Sequence, residues 1–291
     1  MTQSVADILI EALPHIRRLS GKTVVIKYGG HAMVDEQLKI DFAKDVAMLK
    51  YVGANPVVVH GGGPQISQVM ERMGIEPKFV RGMRMTDRET MDVVEMVLGG
   101  LVNHAIVSRV NQEGGQAVGL SGKDAGLIQA KKLRMVHRES ADTPPEIIDP
   151  GHVGEVVSIN SRLIETLAGE GFIPIIAPVG TGEHGESYNI NADAVASHVA
   201  MALSAMKLIF LTDVDGVLDG ERKLLSTIPL GDVSRLIENG TISGGMIPKI
   251  EYARDAVVNG VGKVHIINGT KRHAVLLELL TEKGIGTEVI P

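Results

Sequence analysis

The chain has 291 residues, 44% hydrophobic and 22% charged, a balance that belongs to a folded globular protein and excludes disorder as its main state. It contains no Cys and no Trp, and aromatic residues make up 3%, which removes disulfide frameworks, thiolate metal sites, cysteine nucleophiles and base-stacking platforms for single-stranded nucleic acid. Lys plus Arg number 29 against 35 Asp plus Glu, so the net charge of −6 gives no overall attraction to nucleic acid or anionic lipid.

The first twenty residues read as an amphipathic helix. Val5, Ile8, Leu9, Ala12, Leu13, Ile16 and Leu19 recur at three- and four-residue steps, and Pro14 is expected to kink the run. Asp7 and Glu11 interrupt the place where a signal peptide would be apolar. The stripe suits either a helix lying on its own core or a contact between copies of the chain. The apolar run nearest to a membrane span, 171–180, is short and broken by Pro174 and Pro178. These features point to a reducing, cytoplasmic setting with no membrane partner.

From residue 23 onward short β-branched runs alternate with helical patterns. Strands are expected at 23–27, 56–60, 116–120, 173–177, 207–211 and 263–267. Helices are expected at 35–52, from Pro64, at 90–112 and at 194–203. Continuous apolar strands between amphipathic helices imply a mostly parallel sheet covered on both faces. Residues 127–160 break the rhythm and read as an antiparallel hairpin excursion on the surface. Its basic run (Lys131, Lys132, Arg134, Arg138) reads as a solvated face.

Glycine number 34 in all, and clusters follow the first two strands: Gly29 and Gly30, then Gly61 to Gly63. Parallel sheets bind ligands at their strands' carboxyl ends, where glycine lets backbone N–H groups approach an anion. Each cluster alone is equally a tight turn. The familiar nucleotide cradles are missing. Gly21-Lys22-Thr23 lacks the earlier glycine of a P-loop and precedes a strand, Gly122-Lys123-Asp124 fails at its last position, and no dinucleotide fingerprint follows a strand. Lys27 closes an apolar strand before Gly29, either facing an anion or standing at an edge in solvent. Asn189, Asn191 and Asp193 precede a helix that they could simply cap. Lys249 lies beside Gly244 and Gly245, and 211–217 (LTDVDGV) carries acidic residues at a strand end that could hold Mg²⁺ or form a turn.

Together VVIKYGG (24–30), VVVHGGGPQI (57–66), GMRMTD (82–87), YNINADAVA (188–196), LTDVDGVL (211–218) and GGMIPKI (244–250) resemble the amino-acid kinase superfamily, and within it the N-acetyl-L-glutamate kinases. The resemblance covers nearly the whole chain, with all six segments in family order. It implies a three-layer αβα sandwich around a mostly parallel central sheet, with an N-terminal helix extension. It divides the chain into an oligomerisation helix (1–20), an N-lobe for acyl-amino-acid binding and dimerisation (21–180) and a C-lobe for ATP and arginine (181–291). It implies ATP with Mg²⁺ carried by the nucleotide, no resident metal, and N-acetyl-L-glutamate as acceptor in arginine biosynthesis. Lys27 and Lys249 match lysines that stabilise the transferring phosphoryl group, and Asp193 the aspartate that positions them. Gly29 and Gly30 match a turn facing the phosphoryl group. Gly62, Gly63, Arg84 and Asn189 match the acyl-amino-acid site, and Thr212 and Asp213 the nucleotide contact.

The amino-terminal helix also resembles the extension of arginine-inhibited members, whose interlaced helices build hexamers as trimers of dimers. His265, Glu278 and Gly284 fall on matching positions of the arginine site, although 273–283 also reads as an ordinary amphipathic helix and His265 as a strand histidine. A PII-type signalling protein joins the candidate partners. The rival readings are another kinase of this superfamily (glutamate 5-kinase, aspartokinase, carbamate kinase or UMP kinase) and a non-catalytic arginine sensor.

The implied chemistry is physically coherent. A glutamyl-type carboxyl has a pKa of about 4.3, so near neutrality it is already a nucleophile and needs no general base. The difficulty is bringing one anion to another, which calls for cations, backbone N–H groups and tight positioning.

Overall fold

The computed structural model describes residues 5–80, 82–137 and 146–291. The chain opens with α1 (Val5–Leu19), β1 (Thr23–Tyr28), α2 (Glu36–Tyr51), β2 (Asn55–His60), α3 (Gly63–Arg72) and the short pair β3 (Phe79–Val80) and β4 (Met83–Arg84). A long helix follows, made of α4 (Arg88–Glu95), a π-helical stretch (Met96–Val102) and α5 (Asn103–Gln112). Next come β5 (Ala117–Ser121), β6 (Ile128–Lys132), β7 (Met135–His137), β8 (Glu146–Ile148), β9 (Val153–Ile159), α6 (Ser161–Gly169), β10 (Ile173–Ala177), β11 (Val179–Thr181) and β12 (Ser187–Ile190). The carboxyl-terminal part holds α7 (Ala192–Ala202), β13 (Lys207–Thr212), β14 (Thr227–Pro229), α8 (Val233–Glu238), α9 (Met246–Val258), β15 (Lys263–Asn268), α10 (Ala274–Leu280) and β16 (Thr287–Ile290).

Eight strands form one sheet in the order β14-β16-β15-β13-β1-β2-β10-β5. Every neighbouring pair is parallel except β15 with β16. All six strands expected from the sequence lie in it. Alternation along the central strands feeds two separate cores. Val24, Ile26 and Val58 enter one with Phe42, Leu49, Met70 and Leu98, whereas Val25, Val57 and Val59 enter the other with Ile164, Val195, Val199 and Ile250. The helices thus form a layer on each face, the sandwich that the resemblance implies. Val24, Val25 and Ile26 are wholly buried, and truncating a residue such as Ile26 to Ala should cost about 2–5 kcal/mol.

Several expectations are corrected. The hairpin excursion is only partly on the surface. β6 and β9 do pair antiparallel, but they close a small barrel with β11 and β12, and Ile128, Ala130 and Val153 are buried inside. Lys131 and Lys132 pair with Glu155 and Asp149, while Arg138 and the rest of 138–145 lie outside the described residues. The helix expected at 90–112 spans Arg88–Gln112 and carries the π-helical stretch in its middle. By length and composition that helix could cross a membrane, but it carries Glu89, Asp92 and Glu95 and packs Val94, Leu98 and Ile106 into the core. Pro14 sits inside α1 without ending it, and Ile8, Leu9 and Leu13 are exposed rather than resting on the chain's own core.

One polar cluster ties the two ends of the chain. Asp41 and Asp45, buried on α2, face Arg272 and His273 at the start of α10, with Arg272 Nε 2.6 Å from Asp41 Oδ2 and His273 Nδ1 2.7 Å from Asp45 Oδ1. The Arg272 guanidinium holds Asp41 down to about 2, whereas burial pushes Asp45 up to about 6.

Candidate active site

β1 and β2 run in register and end together, with Tyr28 opposite His60. Beyond each lies its glycine turn. Gly30 has φ +71°, a left-handed conformation that glycine adopts without strain, and a Cβ on Gly29 would collide with the Lys27 ammonium. The second turn runs directly into α3, whose first N–H groups have no partner within the helix and point outward from the strand ends.

The lysines expected from the sequence converge here. Lys27, on a central strand and not an edge, has its Nζ 3.1 Å from Asp193 Oδ1, and Lys249 in the first turn of α9 has its Nζ 2.5 Å from Asp193 Oδ2. All three side chains are about one-seventh exposed (14%, 13% and 14%), so solvent screens them little. Lys249 also lies over the Phe210 ring, 5.5 Å from its centroid. Burial pushes the Asp193 carboxyl up, but the two ammonium groups outweigh it and hold it below its usual range. Burial pulls Lys249 down, with Lys27 adding to the effect and Asp193 opposing it. Asp193 is free for this task because Asn191 caps α7 instead, accepting from the N–H groups of Asp193 (2.7 Å) and Ala194 (3.3 Å). An aspartate that gathers two ammonium groups beside outward-pointing peptide N–H groups makes an anion site of concentrated positive charge.

On one flank Arg84 is buried at the end of β4. It donates to Gly63 O (2.9 Å), Ser67 Oγ (2.8 Å) and Met70 Sδ (3.3 Å), and its guanidinium carbon lies 4.7 Å from the Phe79 ring centroid. Asn189 Nδ2 donates to Thr86 Oγ1 (3.3 Å), which donates in turn to Arg84 O (3.1 Å). Thr86, wholly buried, was not singled out in the sequence; its place in GMRMTD between Arg84 and Asp87 was the available signal. On the other flank Thr212 closes β13, and Asp213 Oδ1 accepts from His31 N–H (2.6 Å), linking the first glycine turn to the β13 end. Asp215 there pairs with Lys271 (2.7 Å) and accepts from Asn268 (3.0 Å).

His265, Glu278 and Gly284 form a second group away from the lysines. His265 Nδ1 lies 2.6 Å from Glu278 Oε1, while Glu278 Oε2 accepts from the Ile285 (2.6 Å) and Gly286 (3.2 Å) N–H groups. Burial pushes Glu278 up, yet these hydrogen bonds prevail and hold it below the usual carboxylate range. The group borders a cavity of about 720 Å³ whose wall also includes His15 and Arg18 of α1 and shares no residue with the lysine cluster.

A profile of the amino acid kinase family matches residues 22–268. The chain is 58% identical to an acetylglutamate kinase of Syntrophobacter fumaroxidans, across 98% of this chain and 96% of that one. It is 59% identical to an acetylglutamate kinase of Geotalea uraniireducens, across 98% of this chain and 97% of that one. Among solved structures, an N-acetylglutamate synthase from Neisseria gonorrhoeae, complexed with coenzyme A and N-acetyl-glutamate, shares the fold at a TM-score of 0.85 and 24% identity. That match covers 99% of this chain and 64% of the synthase, so the chain spans somewhat less than two thirds of the synthase's length. The six segments, the sheet order and these likenesses converge on one conclusion: the chain belongs to the amino acid kinase family.

Proposed function

We propose that this protein is an acetylglutamate kinase, transferring the γ-phosphoryl group of MgATP to the side-chain carboxylate of N-acetyl-L-glutamate. The observation that carries the reading is the bridge from Lys27 through Asp193 to Lys249, set beside two glycine turns at adjoining strand ends. The likeness to acetylglutamate kinases, at 58% and 59% identity over nearly the whole chain, supports the choice of acceptor.

The acceptor carboxylate attacks the γ-phosphorus, the bond to the β–γ bridging oxygen breaks, and ADP leaves with that electron pair. No proton moves, because both nucleophile and leaving group are anions. Lys27 and Lys249 stabilise the charge spread over the phosphoryl oxygens. Asp193 keeps two mutually repelling ammonium groups at one point. The Gly29–Gly30 turn donates N–H groups to the phosphoryl group, and Thr212 and Asp213 border the nucleotide. Arg84 and Asn189 hold the acyl-amino acid with Gly62 and Gly63. Three Arg84 donors already serve Gly63, Ser67 and Met70, so the guanidinium arrives oriented, and a lysine would not reproduce that fork. Magnesium travels with the nucleotide.

In the same reading, residues 21–180 bind the acyl-amino acid and make dimers, residues 181–291 bind ATP, and the His265–Glu278 cavity takes arginine as an inhibitor, its guanidinium on Glu278. The exposed α1 stripe then interlaces with a second copy to build a hexamer. The sharing of that cavity wall by α1 supports coupling between assembly and inhibition.

The test is a panel of acceptors with MgATP, the acyl phosphate being trapped by hydroxylamine. N-acetyl-L-glutamate should give the highest kcat/KM. Preferential turnover of free glutamate, aspartate or carbamate would assign the chain to another branch, and arginine binding without any turnover would make it a sensor.

A further inference from the structure

His60 and Asn103 form a buried polar pair that the proposed mechanism does not use. His60 ends β2 immediately before the Gly61–Gly63 turn and is wholly inaccessible, and Asn103 begins α5 with 1% exposure. The ring's Nδ1 lies 2.8 Å from Gly61 O, and its Nε2 lies 3.1 Å from Asn103 Nδ2. A carbonyl oxygen only accepts, so Nδ1 carries the proton, and Nε2 is left as an acceptor for the amide. The other Asn103 N–H donates to Ile175 O on β10 at 2.9 Å, so both amide hydrogens point at acceptors that fix the side chain's orientation. Burial pushes the imidazole down to about 4, so the ring is neutral at any pH at which a kinase would be assayed.

The π-helical stretch explains how Asn103 gets there. A π turn widens the helix and shifts the register of everything after it, and such turns are found disproportionately at functional sites. Here it sets Leu98 against Gly62, where a Cβ would come within 2.5 Å of Leu98 Cδ2, and then turns Asn103 to the sheet. On the sheet's side Gly119 makes room, since a Cβ there would collide with Asn103 Oδ1. The same helix therefore holds the glycine turn from below at Gly62 and from behind through His60.

We propose that Asn103 is a positioning residue for the acceptor: it fixes His60 as the Nδ1–H tautomer, whose hydrogen bond to Gly61 O sets the peptide planes that present the Gly62 and Gly63 N–H groups to the acyl-amino acid. This rests on the reading that the Gly61–Gly63 turn contacts the acceptor. The nucleotide is held elsewhere, so the effect belongs to one substrate only.

The tautomer gives a signature that packing alone would not. In Asn103→Asp a carboxylate faces Nε2. When the imidazole is protonated, both ring nitrogens donate, and the bond to Gly61 O survives. When it is neutral, the single proton moves to the Nε2 side, and a lone pair on Nδ1 faces Gly61 O. The facing carboxylate shifts the imidazole titration upward, so the KM for N-acetyl-L-glutamate in this variant should rise by about ten-fold or more as pH is raised through that titration, while the wild-type KM stays flat. The KM for ATP should be unaltered in both. Two-bond ¹H–¹⁵N correlation spectra of ¹⁵N-histidine protein should show His60 as the Nδ1–H form in the wild type and as the Nε2–H form in the variant at high pH. If the buried carboxylate prevents folding, Asn103→Leu and His60→Asn serve instead. The first removes the donor at similar volume and should raise the acceptor KM. The second places an amide nitrogen near the former Nδ1 and should retain the acceptor KM better than His60→Leu. A wild-type enzyme that turns over N-acetyl-L-glutamate, together with variants whose acceptor KM is unchanged and pH-independent, would overturn the positioning role. A wild type that ignores this acceptor would instead overturn the functional reading on which it rests.

Discussion

Replacing Asp193 by Asn removes one negative charge from between two lysines with almost no change of shape. The two contacts are 3.1 and 2.5 Å long. At an effective dielectric of about 20, such contacts amount to roughly 5–7 kcal/mol each before desolvation is counted. Most of that is offset by the cost of taking three charges out of water, and stripping a buried pair of its partner costs about 3–5 kcal/mol net. For a chain of this size that corresponds to a fall in Tm of about 6–10 °C. Activity should fall further, since misplacing one preorganised donor costs about 10²–10³ in kcat, and Asp193 places two. The pH dependence is directional. Burial and Lys27 both pull the Lys249 pKa down, and Asp193 opposes them. Without Asp193 that pKa drops, so Lys249 loses its proton, and the enzyme its activity, at a lower pH as the solution is made alkaline. The variant's Tm deficit should be largest near neutral pH and shrink in acid, because Asp193 is held below its ordinary range and its contribution is lost as pH falls through the folded value. Measuring kcat against pH by coupled ADP release, with Tm by calorimetry across the same range, checks all of this. A variant with kcat within about threefold of the parent, an unmoved alkaline limb and an unchanged Tm would refute the bridge as the centre of the site.

Lys27→Ala should lower kcat by about 10² or more with an unchanged circular dichroism spectrum; near-normal turnover would remove Lys27 from its role. Deleting residues 1–20 should shrink the assembly from hexamer to dimer in sedimentation velocity and abolish arginine inhibition, and a truncated protein that still sediments as a hexamer would refute interlacing. Asp45→Asn should stabilise the fold near neutral pH and not at about pH 4. The reason is a sign: burial raises the Asp45 pKa to about 6, so its contribution is greatest below the unfolded value and is lost as pH rises through the folded one. Tm measured against pH should then show the variant gaining on the parent through that interval; parallel curves would refute it.

What was legible in the sequence was legible because it is local. A buried parallel strand appears as a run such as Val57–Val58–Val59, and the glycines after it mark the place where a chain leaves a strand end. Strand ends in a parallel sheet gather ligand groups, so the two turns and the helix starts fall on one rim, and the resemblance implies that Lys27 faces it. Six such segments in a fixed order narrowed the family to one.

The tertiary structure decided what each polar residue does there. In 188–193 the sequence offers two asparagines and an aspartate before a helix, and any of them could cap it. Only packing shows that Asn191 caps, Asn189 reaches Thr86, and Asp193 turns to lysines 166 and 56 residues away along the chain (193 − 27 and 249 − 193). Asn103 lies in the helix expected at 90–112, but helical periodicity alone does not reveal the π turn at Met96–Val102 that resets its register. The buried barrel face of 128–159 was read as surface for the same reason: its partners, β11 and β12, come from later in the chain. The sequence by itself determined the sheet and its glycine-lined rim, through short-range periodicity and turn chemistry, and the family resemblance implied the lysines beside it. The pairing of charges across the rim was decided only when strands and helices distant in sequence were packed together, because hydrogen bonds and ion pairs depend on distances that spacing along a chain does not encode.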